Sequence, residues 1–203
     1  DGSFTYPVAS IAPTDAGRWM SVQTEGHTDR VTIPARSTQI FPIVVAVPRA
    51  ASPGDHAAAV IVSLTARSTG AAGARVDLDQ RIAIRTLFRV SGPLHPGLRV
   101  ESLRASFRHG GLVSGSAVVS YRIRNSGNVK LGGRQRVRVA GVLSGSTQQG
   151  LAVPVLLPGG VVEMRTKIGH VLPQLQMTAT VTVTPLQVAG DADPARSDVI
   201  ASV

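Results

Sequence analysis

The sequence predicts an all-β chain, and three observations carry that prediction. Short β-branched runs recur between clusters of Pro, Gly, Asp and Ser. Several of those runs alternate apolar with polar residues at period two. No stretch sustains a helical period of any length. The chain has 203 residues, enough for two small domains or one large β domain. At 43% hydrophobic residues a buried core is expected, and at 3% aromatic that core is aliphatic.

The elements follow in order. Phe4, Tyr6 and Val8 alternate as a short edge strand. Thr14-Asp15-Ala16-Gly17 reads as a turn, and Arg18 to Val22 starts the next strand, with Trp19 as a packing residue. Val31 to Leu64 is the densest stretch. Val31 and Ile33 precede a turn at Pro34 to Ser37, Ile40 to Val47 forms a second run, and Ala57 to Leu64 a third after the turn Ser52-Pro53-Gly54-Asp55. Phe41, Ile43, Val45 and Val47 share one face, as do Ala58, Val60, Val62 and Leu64, so the two runs read as the central pair of a sandwich. Val76 to Val90 reads as a half-buried strand, with Arg81, Ala83 and Arg85 outward and Ile82 and Ile84 inward. Ser91 to Gly97, with two prolines and two glycines, is the best linker candidate.

Leu98 to Leu103 opens a second unit. In Ala117 to Asn125, Val119, Tyr121 and Ile123 alternate against Arg122 and Arg124, and Asn125-Ser126-Gly127-Asn128 is a turn. Arg134, Arg136 and Arg138 alternate against Gln135, Val137 and Val139. Pro158-Gly159-Gly160 is another turn, and Val161 to Ile168 and Met177 to Thr184 are the remaining strands. The spacing predicts two tandem immunoglobulin-like β-sandwiches: residues 1–92, a linker at 93–97, residues 98–189, and a polar tail at 190–203.

Composition limits the chemistry. With no cysteine there is no disulfide, thiolate metal site or Cys nucleophile. His27, His56, His95, His109 and His170 show no metal-ligand spacing. Asp77 and Asp79 share a strand face and read as partners for Arg81. Neither a Gly-x-Ser-x-Gly elbow nor a phosphate-binding Gly loop is present, so no enzyme activity, cofactor or metal is expected. The formal charge is +9, almost entirely from Arg. The candidate binding residues are Arg134, Arg136 and Arg138, side by side about 7 Å apart on one strand. A solvated outer face is the plain alternative, and an anionic partner the functional one. Nucleic acid is disfavoured, because the usual aromatic stacking platform is missing.

Several of these segments also resemble the bacterial WxL-interacting protein family. They are Val31-Thr32-Ile33-Pro34-Ala35; Val47-Pro48 followed by Ala51 and Pro53-Gly54-Asp55-His56; Asp79 to Arg85; Phe88-Arg89-Val90-Ser91-Gly92; Asn125 to Val129; and Val155 to Gly159. Together they cover about Trp19 to Pro185. One departure is that Ala58 and Ala59 stand where the family has a Gly pair. The resemblance implies a protein of the bacterial cell surface, secreted, and membrane-anchored only through a segment outside this chain. It implies that the N-terminal unit contacts peptidoglycan and that the second contacts a surface protein; in such a protein the anionic partner of the arginine row is a phosphate-bearing wall polymer or an acidic protein. It also implies further sandwich sequence before Trp19, so the first unit is expected to have an open edge, filled by strand addition from another chain or by pairing of two copies. The alternatives are a structural spacer and an accessory domain of a larger secreted enzyme.

Overall fold

The structure, a computed structural model, describes residues 12–27, 30–69, 75–110, 114–186 and 198–203, with side chains at 65–69 and 75–78 left aside. The expected strand at Phe4 to Val8 lies outside the described residues. Among the described residues the chain is all-β, with antiparallel sheets, two 3₁₀ turns (Asp15–Trp19 and Glu25–His27) and no α-helix. No helix among them is long and apolar enough to cross a membrane. Residues 53–55 with 91–203 form one compact unit, and 12–52 with 56–90 another.

In the larger unit, β5 (Leu98–His109), β6 (Gly115–Asn125) and β10 (Val161–Val171) form a sheet in the order β10-β6-β5. The second sheet runs β12-β11-β7-β8, from β7 (Leu131–Gly141), β8 (Gly145–Gln149), β11 (Met177–Leu186) and β12 (Val199–Ser202), and β9 (Val153–Leu156) also pairs with β7. The inward positions of both sheets meet in one core. Val119, Tyr121 and Ile123 come from β6, Val162 and Ile168 from β10, Val137 and Val139 from β7, and Val181 and Val183 from β11. Each Val, Leu or Ile buried this way contributes about 1.5–3 kcal/mol over leaving it in water. The period-two alternation of β6, β7 and β11 exists because one face of each strand is dry and the other wet.

Polar groups within this core are paired. The Tyr121 hydroxyl donates to Gln135 Oε1, and Gln135 Nε2 donates to the Leu151 carbonyl at 2.7 Å. Burial pushes the Tyr121 hydroxyl above its ordinary value of 10.0, while the Thr166 hydroxyl 3.5 Å away pulls in the other direction. Asn125 is 1% exposed. Its Nδ2 donates to the carbonyls of Val129 (2.7 Å) and Leu156 (2.9 Å), and its Oδ1 accepts from the Gly127 N–H (3.0 Å). The turn Pro53-Gly54-Asp55 belongs to this unit: Asp55 N–H donates to the Asn128 carbonyl (2.7 Å), and Asp55 Oδ2 accepts from Lys130 N–H (2.7 Å). Gly54 has φ +121°, and a Cβ there would stand 2.1 Å from the Asn128 oxygen.

Two expectations change in this unit. Residues 199–202, expected in a polar tail, form β12 and pair with β11, since the Val and Ile of Val199–Ser202 are enough to dock an edge strand. Leu98 to Leu103 extends to His109, with a bulge between Glu101 and Arg104 where Ser102 takes φ 53°.

In the smaller unit the strand pairing differs from the expectation. β1 (Met20–Val22) pairs with β2 (Ile43–Val45), and β3 (Gly54–Thr69) pairs with β4 (Arg75–Val90), as two separate two-stranded sheets. The runs Ile40 to Val47 and Ala57 to Leu64 are therefore not adjacent members of one sheet. Val31 to Ile33 is not a strand; the Pro34 to Ser37 turn that follows it is closed by Ser37 N–H to the Pro34 carbonyl. Trp19, 9% exposed, packs with Ala16, Ala58, Phe88 and Val90, as its packing role requires. The inward assignment of Ile82 and Ile84 fails: they are 70% and 58% exposed, because among the described residues nothing lies over that face of the hairpin. Asp79 does pair with Arg81, at 2.5 Å; the Asp77 side chain lies outside the described residues.

Candidate functional site

Arg134, Arg136 and Arg138 alternate outward along β7, while Gln135, Val137 and Val139 point into the core. Register across the sheet builds the rest of the face. Thr184, Thr182 and Thr180 of β11 stand opposite the three arginines in turn. On the other side Gln149 of β8 faces Arg136, and Thr147 faces Arg138. Beyond β11, Ile200 and Ser202 of β12 extend the Thr182 and Thr180 rows. The result is an open groove of about 490 Å³ lined by Arg136, Arg138, Ala140, Thr147, Thr178, Thr180 and Thr182.

The electrostatics of this face are one-sided. No outward position on these four strands carries Asp or Glu. Asp198, just before β12, makes no ion pair with the three arginines, and no carboxylate among the described residues lies within 4 Å of them. Each guanidinium offers five N–H donors in a planar fork that matches phosphate or carboxylate oxygens two at a time. The flanking hydroxyls and amides add donors and acceptors for polyol groups. The face carries no aromatic ring, so it has no platform for stacking bases. Sequence reasoning found the three arginines. It missed the threonine ladder and the β8 wall, because both depend on which strands become neighbours.

A second constellation lies in the smaller unit. His56 Nδ1 lies 3.2 Å and 3.3 Å from the two Asp15 carboxylate oxygens. His56 Nε2 lies 2.9 Å from the Ser52 carbonyl and 3.5 Å from Ser52 Oγ, and the Trp19 ring packs on the imidazole with centroids 4.7 Å apart. These groups line a cleft of about 310 Å³. The order Asp-His-Ser looks like an acyl-transfer triad, but the distances assign it otherwise. The nearer partner of Nε2 is a carbonyl, which only accepts, so Nε2 donates there and has no lone pair for the Ser52 proton. His56 thus pins the Ser52 loop to the Asp15 turn, and Asp15 holds its φ of 45° within that contact.

Among the described residues no three His, Asp or Glu side chains converge on a point. Of the histidines, His56 makes the contacts above, the His95 backbone N–H donates to Asn128 Oδ1, and His109 sits edge-on to Phe107. Compared with protein-family models, curated proteins and solved structures, the chain matches none.

Proposed function

We propose that this chain is a non-enzymatic binding protein of the bacterial cell surface, built as two tandem immunoglobulin-like sandwiches, that holds an anionic wall polymer on the Arg134–Arg136–Arg138 face. The observation that carries the reading is that face: three unpaired arginines about 7 Å apart, walled by hydroxyls, with no acid and no aromatic ring. A linear polyol phosphate supplies what it lacks, namely phosphates for the guanidinium forks and hydroxyls for the threonine ladder. The resemblance to WxL-interacting proteins supports the location and a membrane anchor carried outside this chain; it implies the wall contact in the N-terminal unit and the protein contact in the second, so the assignment of the two faces rests on the geometry alone. A surface protein partner fits the smaller unit. There β3 and β4 pair with each other, and no other strand among the described residues pairs with either, an arrangement that suits addition of a strand from a partner.

The test is co-sedimentation with purified Gram-positive cell walls across a salt series, using intact walls and walls stripped of anionic polymer. The protein is expected to pellet with intact walls at low salt, and to stay in solution with stripped walls or when salt shortens the screening length well below about 10 Å. Failure to pellet with intact walls at low salt overturns the reading.

A further inference from the structure

The sheet on the opposite side of the larger unit is basic as well, and its cations without an acid partner come from β5 and β10, two strands distant in sequence. The outward row Arg165–Ser120–Arg104 crosses β10, β6 and β5. The next row is Lys167–Val118–Ser106, and Arg108 stands beside Ser116 in the row after that. Arg104, Arg108, Arg165 and Lys167 are all exposed. Two acids share this face, and both are taken: Glu101 by Arg124 and Glu163 by Arg122, each at 3.0 Å. Among the described residues no carboxylate lies within 4 Å of Arg104, Arg108, Arg165 or Lys167. Residues 91–203 hold twelve Arg or Lys against five Asp or Glu, so most of the chain's excess charge resides in this unit.

We propose that the larger unit is a two-sided bridge, holding one polyanion chain on the Arg134–Arg136–Arg138 face and a second on the Arg104–Arg165–Lys167 face. This rests on the reading of the first face as an anion site. On the second face Arg104 and Arg165 lie two strand spacings apart, about 10 Å, and Arg165 and Lys167 about 7 Å apart along β10. Those separations suit successive phosphates of an extended chain. With no aromatic residue among the outward positions of that face either, both faces select a phosphate backbone over stacked bases.

The two faces act independently because of distance. Packed sheets stand about 10 Å apart, and each guanidinium extends a further side-chain length outward. The separation exceeds the screening length of about 10 Å at 0.1 M salt, so filling one face leaves the charge of the other intact. A short polyanion covers one face and cannot turn the edge to reach the other. A long polyanion is then gathered with its neighbours, each protein tying two strands.

The test uses poly(glycerol phosphate), a short oligomer for titration calorimetry and a long polymer for light scattering. The wild-type chain is expected to bind two short oligomers and to raise scattering with the long polymer, most strongly at an intermediate ratio. R134A/R136A/R138A and R104A/R165A/K167A should each bind one oligomer, raise no scattering and keep the wild-type circular dichroism; the sixfold variant should bind none. Scattering that persists in either triple variant overturns the bridge. A wild-type stoichiometry of one, abolished by R134A/R136A/R138A, overturns the bridge and leaves the first anion site standing. No binding by the wild type at low salt overturns the anion-site reading itself. Tighter binding of an oligodeoxythymidine of equal charge overturns the choice of polymer.

Discussion

Asn125 and Asn128 offer a matched test of what a buried hydrogen-bond network contributes to this fold. Each side chain makes three hydrogen bonds: two from Nδ2 to backbone carbonyls and one from a backbone N–H to Oδ1. The chemistry is the same and the access of water is not. Asn125 is 1% exposed, and it satisfies carbonyls of Val129 and Leu156, which are 0% and 5% exposed. Asn128 is half-buried and satisfies carbonyls of Pro53 and Pro93 near the surface. Replacing Asn125 by Ala strands two buried carbonyls, each costing about 1–3 kcal/mol, so a total of about 2–6 kcal/mol is expected, while the Gly127 N–H keeps the Gly97 carbonyl at 3.3 Å. In Asn128→Ala water can take over much of the lost bonding, and about 1–2 kcal/mol is expected. The assay is urea unfolding read through hydrogen exchange of the β7 and β11 core amides, which report this unit and not the smaller one. If Asn128→Ala costs as much as Asn125→Ala at unchanged m-value, burial is not what makes the Asn125 network expensive to break, and the reasoning is refuted.

Four other outcomes are expected. Because burial raises the Tyr121 hydroxyl, the folded chain keeps its proton while the unfolded chain releases it near pH 10.0, so stability should fall as pH rises above that value; the difference between wild type and Tyr121→Phe in alkaline urea titrations should show that slope, and a constant difference would falsify it. Tyr121→Phe should also cost about 1–3 kcal/mol at neutral pH, since Gln135 Oε1 loses its donor. Ile123→Ala, at a fully buried position, should cost about 2–5 kcal/mol by the same exchange assay, and a loss below 1 kcal/mol would show that the core collapses around the gap. Gly54→Ala should destabilise the larger unit, because its Cβ meets the Asn128 oxygen at 2.1 Å and its φ of +121° is strained for any side chain; unchanged protection of the β7 amides would show that the turn does not brace the unit.

Much of this architecture is legible along the chain. Val119, Tyr121 and Ile123 on β6, and Val137 and Val139 on β7, announce their strands because a sheet with one dry face imposes period two. The same rule places Arg134, Arg136 and Arg138 outward before any coordinate is known. The turns at Asn125–Asn128 and Pro158–Gly160 are legible because they use residues suited to tight backbone geometry, such as Gly159 at φ 76°. The reading fails where an element is defined by its neighbours. β8 is Gly-Ser-Thr-Gln-Gln, with no apolar face, and exists because β7 offers it a ladder. Ile82 and Ile84 alternate like buried residues, yet stay exposed because nothing among the described residues covers them.

The all-β class, the alternation of the larger unit's core strands and the row of three arginines all follow from residues close together in the chain. The rest waits on which distant strands become neighbours. Tertiary packing pairs Tyr121 with Gln135 across the core, it sets Asp15 against His56 from 41 positions away, and it gathers Arg104, Arg165 and Lys167 from two strands onto one face. These are consequences of strand order and register, which arise from packing distant segments together and leave no local period to read.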